Sequence, residues 1–243
     1  IFEEDGENNV ESVFEIQYTD VEGAGFGCLQ CSEGNVAVGF SGIRNYEGPD
    51  FTSGFSFNVP VQEAYDAFDN DDQRRDIAIL DINAWAASTG ATFGTGNEHT
   101  GYFNRKYIPR TRSSNALPDL NLTNPNNYRA IRYADVLLMA AEANSRGGLN
   151  ESKAQDYLNQ VRRRAFGDEL HDVNASGLSL TNAIYLERRL ELVGEGHRFF
   201  DLVRTGKAAQ EINGFQEGKH ELFPIPAIEI QLAGNVWAQN PGY

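Results

Sequence analysis

The sequence predicts a mostly α-helical protein with antiparallel helix pairs in its second half and a loop-rich first half bearing short strands. Three observations predict it. Apolar residues recur at helical spacing between residues 133 and 204. Small residues, chiefly alanine, lie on those apolar faces, as in helices that pack in pairs. Composition also changes near Asn127. Residues 1–128 hold 20 acidic against 7 basic side chains and are rich in Gly, Asn and aromatics, whereas residues 129–243 hold 15 against 13 and are rich in Leu, Ala, Arg and Glu.

In chain order, the β-branched and aromatic run from Val13 to Tyr18 reads as a strand. Residues 21–58 carry many glycines and no helical period, so loops and at most a short hairpin are expected. Asn58 as cap and Pro60 in the first turn predict a helix through Val61, Ala64, Tyr65 and Phe68. Strands are expected over residues 76–82 and 102–108, followed by a connecting loop over 109–128. Ala134, Leu137, Leu138 and Ala141 then form a helical face that stops at Gly147 and Gly148. Asn150 caps a second helix with Ala154, Leu158, Val161 and Ala165 on its face. Thr181 caps a third with Ala183, Leu186, Leu190 and Val193, and a short fourth carries Phe199, Leu202 and Val203. The prolines at 224 and 226 require an extended segment near the end.

Charge excludes several functions. A net charge of −15 over 243 residues leaves no basic footprint for nucleic acid or for anionic lipid. No stretch approaches a membrane-spanning helix, and the first residues lack the features of a signal peptide. The start at Ile1, without Met, reads as a processed or truncated chain. Cys28 and Cys31 sit in a loop-like stretch without a second pair, which leaves a local disulfide or two free thiols.

Three segments of the second half resemble the SusD/RagB family of outer-membrane nutrient-binding lipoproteins. These are RYADVLLMAAEA (132–143), ERRLELVGEGHRFFDLVRTG (187–206) and the tail LFPIPAIEIQLAGNVWAQNPGY (222–243). In the first half ESVFEIQY (11–18), FDNDDQRRD (68–76) and RKYIP (105–109) follow in the order of that family. The resemblance implies tetratricopeptide-like helix pairs decorated by loops. It implies a cell-surface protein that captures oligosaccharides, or peptides, for a SusC-like TonB-dependent transporter. Complete members are about twice this long and carry an N-terminal lipid anchor, so the chain is expected to be their C-terminal half, without the anchor. Residues 1–128 would then be the ligand-facing region and 129–243 the helical region of one domain.

Glu187, Glu191 and Glu195 stand among Arg188, Arg189, Arg198 and Arg204. Paired carboxylates can serve a glycosidase, but interleaved arginines favour an ion-pair network, with Arg188–Glu191 and Arg198–Asp201 at i, i+3. The acidic turn at Asp69, Asp71 and Asp72 lacks the Gly and Glu of a calcium loop; calcium is kept as the alternative there, and no other cofactor is expected. Aromatic rings stack on sugar faces, so Trp85, Tyr46 and Tyr102 are the candidate ligand contacts, with Asn45 and Asn83 offering amides beside them. Trp85 is expected on a polar surface segment without helical period, and Trp237 in packing. Beside this non-enzymatic binder stand a surface glycoside hydrolase and a protein-binding helical adaptor as alternatives.

Overall fold

The computed structural model describes residues 1–23, 25–111 and 119–243. Helices account for 41% of it and strands for 9%, so the helical expectation holds. Two compact units are present, Ile1–Glu195 and Gly196–Tyr243. The structural division therefore lies far beyond the compositional break near Asn127.

In the first unit, β1 (Ser12–Ile16) occupies the expected strand. Helix α1 (Val36–Ser41) rises from the glycine-rich stretch because the Asn35 side chain accepts the Ala37 N–H at 3.1 Å. Next, β2 (Ile43–Arg44) and β3 (Ser53–Gly54) pair in parallel rather than as a hairpin. Glycine permits that contact: a Cβ on Gly54 would lie 2.4 Å from Gly42 Cα and 2.6 Å from the Gly39 carbonyl oxygen.

The expected helix from Asn58 shrinks to the single turn α2 (Gln62–Tyr65), and Asn58 does not cap it. Pro60, meant for its first turn, instead offers its carbonyl to Thr100 Oγ1 at 2.6 Å. The expected strand over 76–82 divides into α3 (Arg74–Ala78), β4 (Ile79–Asp81) and α4 (Ile82–Thr89). Local side-chain bonds to the backbone impose the division, and that from Asp81 is the N-cap of α4. Asp72 Oδ1 accepts the Arg74 N–H at 2.9 Å, and Asp81 Oδ1 accepts those of Asn83 and Ala84 at 2.9 and 3.0 Å. Gly90, at φ +76°, ends α4 in the left-handed conformation. β5 (Tyr102–Asn104) pairs antiparallel with β4 but stops short of Ile108, because Arg105–Tyr107 form a 3-10 turn.

Of the expected connecting loop over 109–128, residues 112–118 lie outside the described residues. Its Asn124, Asn126 and Asn127 are buried. Asn35 Nδ2 donates to the Asn126 carbonyl at 3.0 Å, Asn124 Nδ2 to that of Asn35 at 3.2 Å, and Asn127 Nδ2 to Glu15 at 3.1 Å. The loop then enters β6 (Tyr128–Arg132), which runs antiparallel to β1 across the compositional break.

Helices α5 (Tyr133–Arg146), α6 (Glu151–Phe166) and α7 (Gly177–Glu191) form the main apolar core. Asn150 starts α6 as expected, its Oδ1 accepting the Lys153 N–H at 3.0 Å, and Gly167 ends it at φ +82°. Ala134, Leu138 and Ala141 pack against Ala154, Leu158 and Val161. α7 begins four residues before the expected cap at Thr181, because Leu180 and Ile184 enter this core. Leu186, expected on the packing face, is 47% exposed instead.

The second unit holds α8 (Arg198–Arg204), α9 (Ala208–Glu211) and α10 (Ala227–Leu232). Residues 223–226 are extended, as their prolines require. Trp237 does not pack as expected and is 54% exposed. The tail is held by an amide instead: Gln239 accepts the Ile225 N–H at 2.8 Å and donates to its carbonyl at 2.7 Å.

The β2–β3 crossing generates a test. Gly54→Ala places a methyl against backbone atoms that cannot rotate away, and it should cost on the order of 1–3 kcal/mol. The urea midpoint of the variant reads this directly; an unchanged midpoint would show that the crossing tolerates a side chain.

Candidate functional site

The acidic residues of the second motif come first because they decide between catalysis and structure. Glu187, Glu191 and Glu195 are all buried. Arg74 of α3 donates to Glu187 at 2.5 Å and to Glu191 at 3.0 Å, while it also grips Asp72 at 2.6 Å. Arg132 of β6 reaches Glu195 at 2.7 Å, Glu191 at 3.0 Å and Glu11 at 2.9 Å. Lys106 donates to Glu195 at 2.6 Å, Arg164 to Glu191 at 2.6 Å and Arg162 to Glu187 at 2.8 Å. Arg188 pairs with Asp135 of α5 at 2.7 Å, and Arg198 with Glu211 at 3.2 Å. The network is thus real, but where i, i+3 partners were expected Arg188 meets Asp135 of another helix, and in the second unit Arg198 meets Glu211 while Asp201 pairs at i, i+3 with Arg204.

Its electrostatics follow from that geometry. Burial alone would raise the Glu191 carboxyl, yet Arg164, Arg132, Lys106 and Arg74 together pull it down to about 2. Glu195 is likewise held below the usual range against its burial, by Lys106 and Arg132. Carboxylates so held stay ionised and cannot serve as a general acid at neutral pH. A cavity of about 410 Å³ adjoins the network, lined by Phe2, Arg74, Arg105, Lys106, Arg110 and Arg132 among others. Arg74, Lys106 and Arg132 are bound to the buried acids, and Arg110 pairs with Glu3.

The acidic turn is also engaged. Asp72 holds Arg74, and Asp71 Oδ2 lies 3.0 Å from His171 Nε2. Among the described residues, no group of three or more His, Cys, Asp or Glu side chains is arranged to hold a metal ion.

Of the five candidate ligand contacts, two meet directly. Trp85 Nε1 donates to Tyr46 Oη at 2.9 Å, and that hydroxyl donates on to the Pro49 carbonyl at 2.7 Å. Trp85 is half-buried, with its ring 5.3 Å from Phe51 and the Arg105 guanidinium 5.7 Å from its centroid. It lies on helix α4, which Asp81 caps, and not on the irregular segment expected. Tyr46 is buried in the cluster of Ile43, Phe51, Leu80 and Phe103. Tyr102 belongs to another cluster, stacked 4.8 Å from Tyr65. Neither tyrosine presents a ring face to solvent. Asn83, on the first turn of α4, and Asn45, at φ +48°, are both exposed.

A second aromatic group escapes the sequence reading. Phe26, Phe40, Phe55 and Phe57 adjoin one another with ring centroids 5.3–6.5 Å apart. Phe26 and Phe57 are 58% and 59% exposed. The Arg44 guanidinium lies 5.9 Å from the Phe57 centroid and donates to the Phe55 carbonyl at 2.7 Å. Cys28 and Cys31 form a disulfide in the loop that bears Phe26. One signal was present in the sequence, the spacing of Phe55 and Phe57 two apart; in the structure Ser56 between them takes φ +57° and their rings lie 5.6 Å apart.

Comparison with known proteins gives a consistent answer. The SusD family model matches residues 9–222. SusD-like protein P2 of Formosa agariphila is 31% identical over 96% of this chain, which spans 48% of that relative's length. Among solved structures, a laminarin binding SusD-like protein is 39% identical with a TM-score of 0.83, over 98% of this chain and 51% of that one. Surface glycan-binding protein A from Bacteroides thetaiotaomicron, in complex with laminarihexaose, is 31% identical with a TM-score of 0.80, over 99% and 54%.

The network predicts acid sensitivity of a definite sign. Glu191 titrates at about 2 when folded and at an ordinary 4.5 when unfolded. Its contribution to stability is therefore complete above the ordinary value and is lost as pH falls through the folded one. Glu191→Gln should cost about 3 kcal/mol near neutral pH, since it leaves buried cations underpaired. Its melting temperature should also fall less than that of the unaltered protein as the solution is acidified. An equal acid dependence in both proteins would mean that Glu191 does not carry the effect.

Proposed function

The chain belongs to the SusD family, and from that premise we propose that it binds an oligosaccharide at the cell surface without cleaving it. The observation that carries this reading is the 39% identity to a laminarin binding relative across nearly the whole chain. Laminarin is accordingly the proposed ligand. Physical features support it. Exposed rings and amides in residues 21–104 supply stacking surfaces and hydrogen bonds, the two means by which a neutral sugar is held, and neither needs a cofactor. Trp85, Asn83 and Asn45 would meet the ligand, with Tyr46 bracing the indole and Tyr102 supporting the strand behind it. Glu191 and Glu195 are kept ionised by the arginines and Lys106 around them, which speaks against the glycoside hydrolase alternative.

We further propose that the whole protein, of which this chain matches about half the length of the relatives above, is lipid-anchored in the outer membrane. There it would deliver its ligand to a SusC-like TonB-dependent transporter. No helix among the described residues is long and apolar enough to cross a membrane.

Titration calorimetry with laminarihexaose tests the binding role. The unaltered protein should bind, and Trp85→Ala should lose on the order of 1–3 kcal/mol of affinity. Because the indole also packs on Phe51, Trp85→Phe serves as the variant that preserves the packing. Heat-silent mixing, together with released reducing ends, would sink the binding reading in favour of hydrolysis. The transporter role is tested by purification from detergent-solubilised outer membranes. A TonB-dependent barrel should accompany the protein; recovery without any barrel would contradict it.

A further inference from the structure

We propose that the face formed by Phe26, Phe40, Phe55 and Phe57, with Arg44 and Asn45 beside it, is a second stacking subsite for an uncharged glucan chain. The inference rests on the glycan-binding reading above and adds a location to it. Solvent-exposed phenylalanines are costly to keep together, and a contiguous apolar patch on a soluble surface marks a place where something binds. Here two of the four rings are more than half exposed while the other two are half-buried and hold them in place.

Three features identify the occupant as a sugar chain. First, the two exposed rings stand on the half-buried pair, with Phe57 near-parallel to Phe55 at 5.6 Å and Phe26 edge-on to Phe55 at 5.3 Å, so Phe26 and Phe57 each offer an apolar surface on which a sugar face can stack. Second, polar groups are interleaved with the rings. Arg44 is fixed by its bond to the Phe55 carbonyl, and its guanidinium lies 5.9 Å from the Phe57 centroid, so a cationic donor group stands beside the ring on which a sugar would stack. The Asn45 amide is exposed on the next residue. Third, residues 1–128 carry a net charge of −13, which repels an anionic polysaccharide and leaves a neutral one as the matching ligand.

The backbone beneath the face is rigid. Phe57 N–H donates to the Phe40 carbonyl at 2.8 Å, and Phe55 N–H to the Gly39 carbonyl at 2.9 Å. The Cys28–Cys31 disulfide closes the loop next to Phe26. A platform already ordered loses little freedom when a ligand arrives.

The test uses the intact protein and laminarihexaose in a calorimetric titration, with melting temperatures recorded for every variant. Phe57→Ala and the double variant Phe26→Ala/Phe57→Ala should weaken binding about tenfold or more, with the melting temperature nearly unchanged. Phe57→Leu keeps the apolar volume but removes the ring, so it decides the matter if Phe57→Ala fails to fold; it too should weaken binding. Binding of the unaltered protein combined with undiminished binding by Phe57→Leu and the double variant would overturn the subsite while leaving the glycan-binding reading intact. Loss of self-association in the double variant, with glycan affinity untouched, would assign the face to a second copy of the chain and overturn the subsite as well. No binding by the unaltered protein would instead defeat the glycan-binding reading on which the subsite rests.

Discussion

The buried Glu191 carboxylate and the cations around it are the constraint on which the first unit depends. One oxygen faces Arg132 and Arg164, the other faces Arg74, and Lys106 donates to the backbone carbonyl of the same residue. Those partners come from β6, α6, α3 and the turn after β5. Bringing these charges out of water is expensive, and an apolar core of similar shape would be no less stable. What the ions add is discrimination. A shift of α7 by one residue would leave several buried charges without partners, a far larger penalty than any slip between apolar faces.

The elements that carry Trp85 and its neighbours hang from this network through short links. Arg74 joins Asp72 to Glu187 and so sets where α3 begins. β4 follows α3 directly, pairs with β5, and leads into α4, which carries Trp85. Lys106 anchors the turn after β5 to Glu195, and its neighbour Arg105 lies against the indole. The half-buried tryptophan is thereby held between fixed elements. A side chain supported in this way is already ordered, so the proposed binding there would lose little conformational entropy.

The phenylalanine face has a different origin. It is set by backbone proximity, not by charge: the segments bearing Phe40 and Phe55–Phe57 approach because glycines at 39, 42 and 54 leave no side chain between them. The same lack of Cβ atoms that hides this region from periodicity arguments is what lets four rings gather at one surface.

Some of this was legible in the residues. The apolar periods of α5 and α6, the Asn150 cap, the glycine stops and the extended prolines all act within a few residues of themselves, so the sequence alone determined them. The evenly mixed acids and arginines at 187–204 likewise announced an ion-pair network before any partner was known. Tertiary structure alone decided the rest. β6 exists because β1, more than a hundred residues earlier, offers it a ladder. α7 begins at Gly177 because Leu180 has a core to enter. Tyr46 and Tyr102 are buried, and Phe26 and Phe57 exposed, by neighbours that local sequence does not specify. The physical reason is range: caps and helical periods are short-range interactions written in adjacent residues, whereas burial and ion pairing depend on which distant segments arrive at the same place.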